Sequence, residues 1–289
     1  MKRSMNKSRV GRVRTVHSGQ LKLRTVEKAL DQPLLGFREW AVKELLENIS
    51  IGAATLVTGP PGIGKTMICL MAARALGRPT EVFHYGAALD AEASVTGCLT
   101  LRDGKTVFVR SRFVDALRIP NCVIVLDEIA RAPAEVPNAL LSLLDFQGRL
   151  VLDLEERRNR IVECAPGIGF LATANRDPGC IGSGPLDRAF LDRMLHLRLD
   201  YPDPKEEAQL LLRVGVSKEQ AHKLVAKANA VRKQYAQGAL PDAISTRALV
   251  RAAELVALGV DIDRSIERNM HILDEKSSSK LRATLKLVP

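Results

Sequence analysis

The sequence predicts an α/β fold: a three-layer αβα core built on a five-stranded parallel sheet, followed by a small C-terminal helical domain. Two observations carry the prediction. Short apolar runs at 54–58, 81–85, 122–126 and 169–174 are separated by helix-like stretches, and strands covered on both faces read as continuous apolar runs. From Asp203 onward the pattern is wholly helical, which sets a second unit apart from the first. With 289 residues, 46% hydrophobic and 26% charged, the chain has the size for one large and one small domain, and its composition is that of a folded globular protein rather than a disordered one.

Taken in order, Phe37–Asn48 reads as a helix in which Trp40 is expected to pack, and 54–58 is the first strand, running straight into a glycine-rich turn. The next helix, Lys65–Leu76, is apolar on most sides (Met67, Ile68, Leu70, Met71), so it should lie buried against the sheet; Gly77 and Pro79 end it. Three more strands follow at 81–85, 122–126 and 169–174, and the alternation of Leu195, Leu197 and Leu199 supplies the fifth. Between the second and third, Thr100–Arg102 and Thr106–Val109 flank an Asp103–Gly104 turn, the chemistry of a tight hairpin. A polar excursion over 148–164 precedes the fourth strand. In the last part Leu224, Val225, Ala228 and Val231 share one helix face, as do Leu249, Ala252, Ala253 and Val256 on another. The division that follows is a basic N-terminal tail over 1–28, a core over 29–202 and a helical lid over 203–289.

Net charge is +10, but it is not spread evenly. Residues 1–26 hold eight Lys and Arg and 276–289 hold four, neither with an acid, so the chain between them is slightly acidic. Basic ends of this kind are solvated arms, or contacts for nucleic acid, a membrane surface or an acidic partner. The acid-free start also fits an organellar transit peptide, although no cleavage site is marked. No apolar run reaches the roughly 18 residues of a membrane span. The five cysteines (Cys69, Cys98, Cys122, Cys164, Cys180) are odd in number, far apart and free of any CxxC, which points to a reduced, cytoplasmic setting. His84, His196, His222 and His271 show no HExxH or i,i+4 pair and are expected to be structural or surface residues.

Two motifs carry chemistry. Gly59-Pro60-Pro61-Gly62-Ile63-Gly64-Lys65-Thr66 is a phosphate loop with the strand before it and helix after it that the motif requires. Its glycines let successive backbone N–H groups turn toward phosphate oxygens, at the positive end of a helix. Lys65 would reach the β- and γ-phosphates of a nucleotide and Thr66 would bind Mg²⁺. The strand 123–126 then ends in Asp127 and Glu128, at the sheet edge where α/β proteins bind ligands. Asp127 suits the Mg²⁺ shell, and Glu128 suits a base that activates water.

With these motifs the sequence resembles the AAA+ ATPases. Leu171-Ala172-Thr173-Ala174-Asn175 looks like the family's sensor 1 strand, lying between the two motif strands with Asn175 at its tip. Leu186–Met194 looks like the helix that presents an arginine finger to a neighbouring subunit, with Arg193 at the matching place and Arg188 as a second candidate. Ile244-Ser245-Thr246-Arg247-Ala248 is similar to sensor 2, where Arg247 reaches the phosphates from the lid. Asp127 through Pro133 and Ala139-Leu140-Leu141 resemble the MoxR type, with Ala130 in place of an Asn often found before Arg131. The hairpin with Thr96-Gly97 before it, Leu143-Leu144-Asp145 and Gly148-Arg149-Leu150 look like the CbbQ/NorQ branch.

The likeness spans roughly residues 33–260. It implies an ATP- and Mg²⁺-dependent chaperone or activase that works as a homo-oligomeric ring, commonly a hexamer. Such a ring remodels a client protein complex, often through a partner with a von Willebrand factor A domain. The hairpin would then project toward the pore or partner, or else close the sheet at its edge. Two other functions share the core: a nucleic-acid motor, loader or packaging ATPase using the basic tails, and a nucleotide-gated scaffold with little hydrolysis.

Overall fold

The computed structural model describes residues 38–85, 91–145, 147–175, 186–270 and 274–288. The expected tail over 1–28, Cys180 and His271 lie outside these. A five-stranded sheet is formed by β1 (Thr55–Gly59), β2 (Thr80–His84), β5 (Val123–Asp127), β8 (Gly169–Asn175) and β9 (Leu195–Arg198), in the order β2-β5-β8-β1-β9. All its pairings are parallel. The sequence-predicted strands fall on these within a residue or two.

Alternate residues of each strand feed two separate apolar layers. Val123, Val125, Val57 and Leu171 face α1 (Glu39–Ser50) and α2 (Lys65–Ala75). Ile124, Leu126, Leu56 and Ala172 face the other way, toward Phe113 and Val114 of α4 (Arg112–Ala116) and Leu140 of α5 (Glu135–Leu144). A short helix α3 (Ala91–Val95) follows β2 and adds Val95 to this second layer. Every residue of β1 and β5 is buried, so burial along these strands does not alternate, as layers on both faces require.

Trp40 departs from its expected role. The buried stripe of α1 is Ala41, Val42, Leu45, Leu46 and Ile49, and Trp40 sits beside it, 52% exposed. Met67 likewise turns to the surface at the start of α2, whereas Ile68, Cys69, Met71, Ala72 and Ala73 pack inward.

The predicted hairpin is β3 (Gly97–Arg102) against β4 (Lys105–Arg110), with Arg102 opposite Lys105. Asp103 and Gly104 both have positive φ, 50° and 72°, the geometry that lets a two-residue turn follow the strand twist. It forms its own two-stranded sheet and does not extend the edge of the main one. The excursion over 148–164 holds a second, shorter hairpin of β6 (Arg149–Val151) and β7 (Ile161–Glu163), which the sequence did not announce. Arg110 at the end of β4 pairs with Glu155 in its loop at 3.1 Å.

After the one-turn helix α6 (Arg188–Leu191) and β9 come five helices: α7 (Pro204–Leu212), α8 (Lys218–Ala236), α9 (Thr246–Ala257), α10 (Ile262–Glu267) and α11 (Glu275–Lys286). Each begins at an Asp or Ser whose side chain accepts from a first-turn N–H. They share a third apolar cluster containing both predicted helix faces. The basic C-terminal stretch is therefore not a free arm: α11 buries Leu281, Thr284 and Leu285, and the ammonium of Lys227 donates to Leu285 O at 2.6 Å. Four cations on one helix are compatible with docking because the apolar positions recur on the opposite face.

Candidate nucleotide site

Three strands bring their C-terminal ends to one place. β1 delivers the phosphate loop, β5 delivers Asp127 and Glu128, and β8 runs between them with Gly59 opposite Asn175 and Leu126 opposite Ala172. That register sets Thr173 beside Asp127. Thr173 Oγ1 donates to Asp127 Oδ1 at 2.7 Å, and the backbone N–H of Glu128 donates to Thr173 Oγ1 at 3.0 Å. Thr66, the second residue of α2, donates to the same Asp127 Oδ1 at 2.5 Å. His84 ends β2 in register with Asp127, and its Nδ1 lies 2.9 Å from Asp127 Oδ2. Burial would raise the Asp127 pKa, but the hydrogen bonds from Thr66, Thr173 and His84, with the charge of His84, hold it below the usual carboxylate value.

Lys65 is buried under the loop. Its Nζ donates to Gly59 O (3.0 Å), Pro60 O (2.7 Å) and Asn175 Oδ1 (2.7 Å). Gly64 caps α2 with φ 92° and has no side chain of its own to accept from the helix's first N–H groups. The start of the helix borders the cavity through Gly64, Lys65, Thr66 and Met67, where the positive end of its dipole favours an anion. Gly62 has φ 67°, and a Cβ there would stand 2.7 Å from Ser245 Oγ, so glycine is required both by the backbone and by the approach of α9. Arg247 N donates to Gly62 O at 3.0 Å.

Between the loop and the helical part lies a cavity of about 720 Å³, lined by Lys65, Thr66, Asp127, Glu128, Asn175 and Arg247 among others. Its donor set fits a nucleoside triphosphate: amide donors and an ammonium at one side, a guanidinium at the other. Thr66 Oγ1 and the Asp127 carboxylate are hard oxygen ligands of the kind Mg²⁺ takes alongside phosphates. No cluster of three or more His, Cys, Asp or Glu able to hold a metal by itself occurs among the described residues. Glu128 adopts φ 56° and pairs with Arg131 at 3.1 Å.

Arg193 and Arg188 lie away from this cavity. Arg193 Nη1 donates to Ala189 O (2.8 Å) and Nη2 to Asp145 Oδ2 (3.2 Å), while Arg188 is exposed at the start of α6. The local sequence does not single out Thr173, and it predicts a structural or surface role for His84. His84 is 69% exposed, yet it touches Asp127.

A phosphate loop and an Asp-Glu strand end on a parallel sheet ordered this way, roofed by a helical unit, define a P-loop nucleotide-binding protein of the AAA+ class. Residues 54–194 match the AAA domain of the dynein-related subfamily, and residues 206–283 match the C-terminal region of CbbQ/NirQ/NorQ proteins, so the likeness reaches beyond residue 260 into α11. The chain is 31% identical over 217 residues to protein NorQ of Paracoccus denitrificans (strain Pd 1222), covering 74% of this chain and 77% of that one. It is 28% identical over 228 residues to BssE of Thauera aromatica, named as a candidate chaperone, covering 78% and 77%. Among solved structures, a RuvB variant of Thermotoga maritima superposes with a TM-score of 0.51 at 16% identity, covering 88% of this chain and 71% of that one, a likeness of fold. The chain belongs to the MoxR-type AAA+ ATPases, in their CbbQ/NorQ branch. Among the described residues no helix is long and apolar enough to cross a membrane.

Proposed function

We propose that this protein is a Mg²⁺-dependent ATPase that acts as a ring-forming activase or chaperone on a client protein complex. The observation that carries the catalytic part is the convergence of Lys65, Thr66, Asp127, Glu128 and Asn175 on one cavity. Bound Mg·ATP supplies the γ-phosphoryl group for transfer to water, with the metal neutralising charge on the phosphates. Gly59, Pro60, Pro61, Gly62, Ile63 and Gly64 form the backbone cradle, and Lys65 provides the balancing cation. Thr66 and Asp127 hold the metal side. Glu128 orients water and takes its proton, Asn175 fixes the polar atoms opposite, and Arg247 closes the site from the helical part. Arg193 serves the neighbouring subunit.

The functional units of this reading are the core over 29–202 and the lid over 203–289, with 1–28 as a basic tail. A chaperone role is supported by the candidate designation of BssE together with its 77% coverage. The β3–β4 hairpin is free of the main sheet, with Leu99 and Leu101 exposed, and is our choice for the contact with pore or partner. A hexamer and a von Willebrand factor A partner complete the reading.

The test uses Glu128→Gln. It should bind ATP and assemble as the wild type does while hydrolysis falls by at least about 10²-fold, as expected when a positioned base is lost. The same variant, trapped with ATP, should retain its client complex in affinity capture. Unchanged turnover would remove Glu128 from the chemistry; normal trapping without any protein retained would count against the chaperone role.

A further inference from the structure

A buried ion pair lies behind the cavity, in none of the motifs discussed above. Glu207, in the first turn of α7, is 0% exposed, and Arg232, in the last part of α8, is 7% exposed. They meet as a fork: Arg232 Nη1 donates to Glu207 Oε2 at 2.7 Å and Nη2 to Oε1 at 2.8 Å. A carboxylate removed from water needs every lone pair engaged, and the next donor to Oε1 is the Thr246 hydroxyl at 2.8 Å. Arg232 Nε in turn donates to Ile244 O at 3.0 Å. The same guanidinium lies over the Tyr201 ring, 4.0 Å from its centroid, where the chain leaves β9 for α7.

The pair thus holds residues 244 and 246 on one side of the strand of chain that enters α9. On the other side Ser245 is against Gly62, and Arg247 N bonds Gly62 O. The segment 244–247 is clamped between the ion pair and the phosphate loop. The geometry points to Glu207 and Thr246 as positioning residues for Arg247: through the Thr246 hydroxyl, the Glu207–Arg232 pair sets where α9 begins and so where the Arg247 guanidinium stands in the nucleotide cavity. A buried pair is poor as a source of net stability but effective at specifying one arrangement, which is the use assigned to it here. The inference rests on Arg247 serving the nucleotide, as proposed above.

Glu207→Ala would leave Arg232 buried without its partner and could unfold the helical unit, so the test is made at Thr246. Thr246→Val keeps the shape and removes only the hydroxyl; Thr246→Ser keeps the hydroxyl. Affinity for Mg²⁺ and AMP-PNP is measured by titration calorimetry for each, in the wild type and in Arg247→Ala, with thermal melts alongside. Thr246→Val should weaken binding by about tenfold, the worth of one hydrogen bond to a charged group, Thr246→Ser should restore it, and neither should weaken Arg247→Ala further. Equal loss from Thr246→Val in both backgrounds, or no loss in the wild type, overturns the positioning role. If Arg247→Ala alone binds as the wild type does, the assignment of Arg247 falls first and this inference falls with it.

Discussion

Lys65 Nζ donates a 2.7 Å hydrogen bond to Asn175 Oδ1, joining the first residue of α2 to the last residue of β8, 110 positions later. The bond exists because β8 is inserted between β1 and β5, which sets Gly59 opposite Asn175 in register. Asn175 is thereby held at the cavity wall by the cation proposed above to serve the phosphates. Asn175→Ala should lower kcat for ATP by about 10²-fold, the scale of losing one preorganised polar group at a site of developing charge. The loop's other contacts remain, so ATP affinity should change by less than about threefold. Steady-state kinetics with a parallel binding titration would show whether kcat and affinity separate in this way; equal losses in both would make Asn175 a binding residue only.

Any other residue at position 62 would be strained for two independent reasons: the backbone φ of 67°, and the 2.7 Å that would separate its Cβ from Ser245 Oγ. Gly62→Ala should therefore weaken nucleotide binding and lower Tm, the backbone part alone costing about 1 kcal/mol. Ser245→Gly removes the opposing side chain and, since glycine is a tolerated N-cap, costs α9 only about a few tenths of a kcal/mol. The double variant should recover the steric share and keep the backbone share. Melting curves of the three variants test it: no recovery in the double variant would mean that α9 does not rest on the loop at this point.

Asp127 gives a pH dependence with a definite sign. Burial raises its pKa, but the hydrogen bonds from Thr66, Thr173 and His84 and the His84 charge leave it below the ordinary value. A carboxylate whose folded pKa is depressed contributes stability that is fully present above its unfolded pKa and is lost as pH falls through the folded value. The stability difference between wild type and Asp127→Asn at pH 7 should accordingly shrink once pH drops below about 4. Denaturant unfolding at a series of pH values measures it. A difference constant across the series would assign acid sensitivity to other groups.

Much of this site was legible because its residues are consecutive. The phosphate loop, the Asp127-Glu128 end and the strand that follows them each announce their own local structure, and the βα rhythm announces the parallel sheet. Thr173 and His84 were not legible in the same way. Their contacts with Asp127 are set by strand order and register, His84 opposite Asp127 across β2 and β5 and Thr173 one position beyond the Leu126–Ala172 pair, and neither follows from local sequence. Glu207 and Arg232 look like ordinary helix-surface charges 25 positions apart until α7 and α8 pack together. Trp40 misled for the opposite reason: a large aromatic in a helix suggests burial, but the stripe that faces the sheet runs through Ala41 and Leu45. The strands β6 and β7, three residues each, are too short for any period to register.

Arg193 should act on nucleotide held by another copy of the chain. Within its own chain it is engaged by Ala189 O and Asp145, and it does not line the cavity that holds Lys65 and Glu128. Phosphoryl transfer needs positive charge at the γ-phosphate oxygens, and a guanidinium brought by a neighbour is worth about 10³–10⁵ in rate. Isolated subunits should therefore be nearly inactive, with turnover rising steeply as the ring assembles. Two inactive variants separate site from finger: Lys65→Ala keeps Arg193 but loses the phosphate contact, and Arg193→Ala keeps the cavity but loses the finger. Mixed in co-assembled rings, they should regain activity wherever an Arg193-bearing subunit abuts an intact loop, with the recovered rate following the statistics of such junctions. Arg188→Ala, tested in the same mixture, should leave that recovery intact if Arg193 is the finger; its side chain is exposed at the start of α6, so loss of recovery would give Arg188 the role. Full activity of Arg193→Ala alone, or no recovery despite demonstrated co-assembly, would transfer the finger to Arg188 or to another surface.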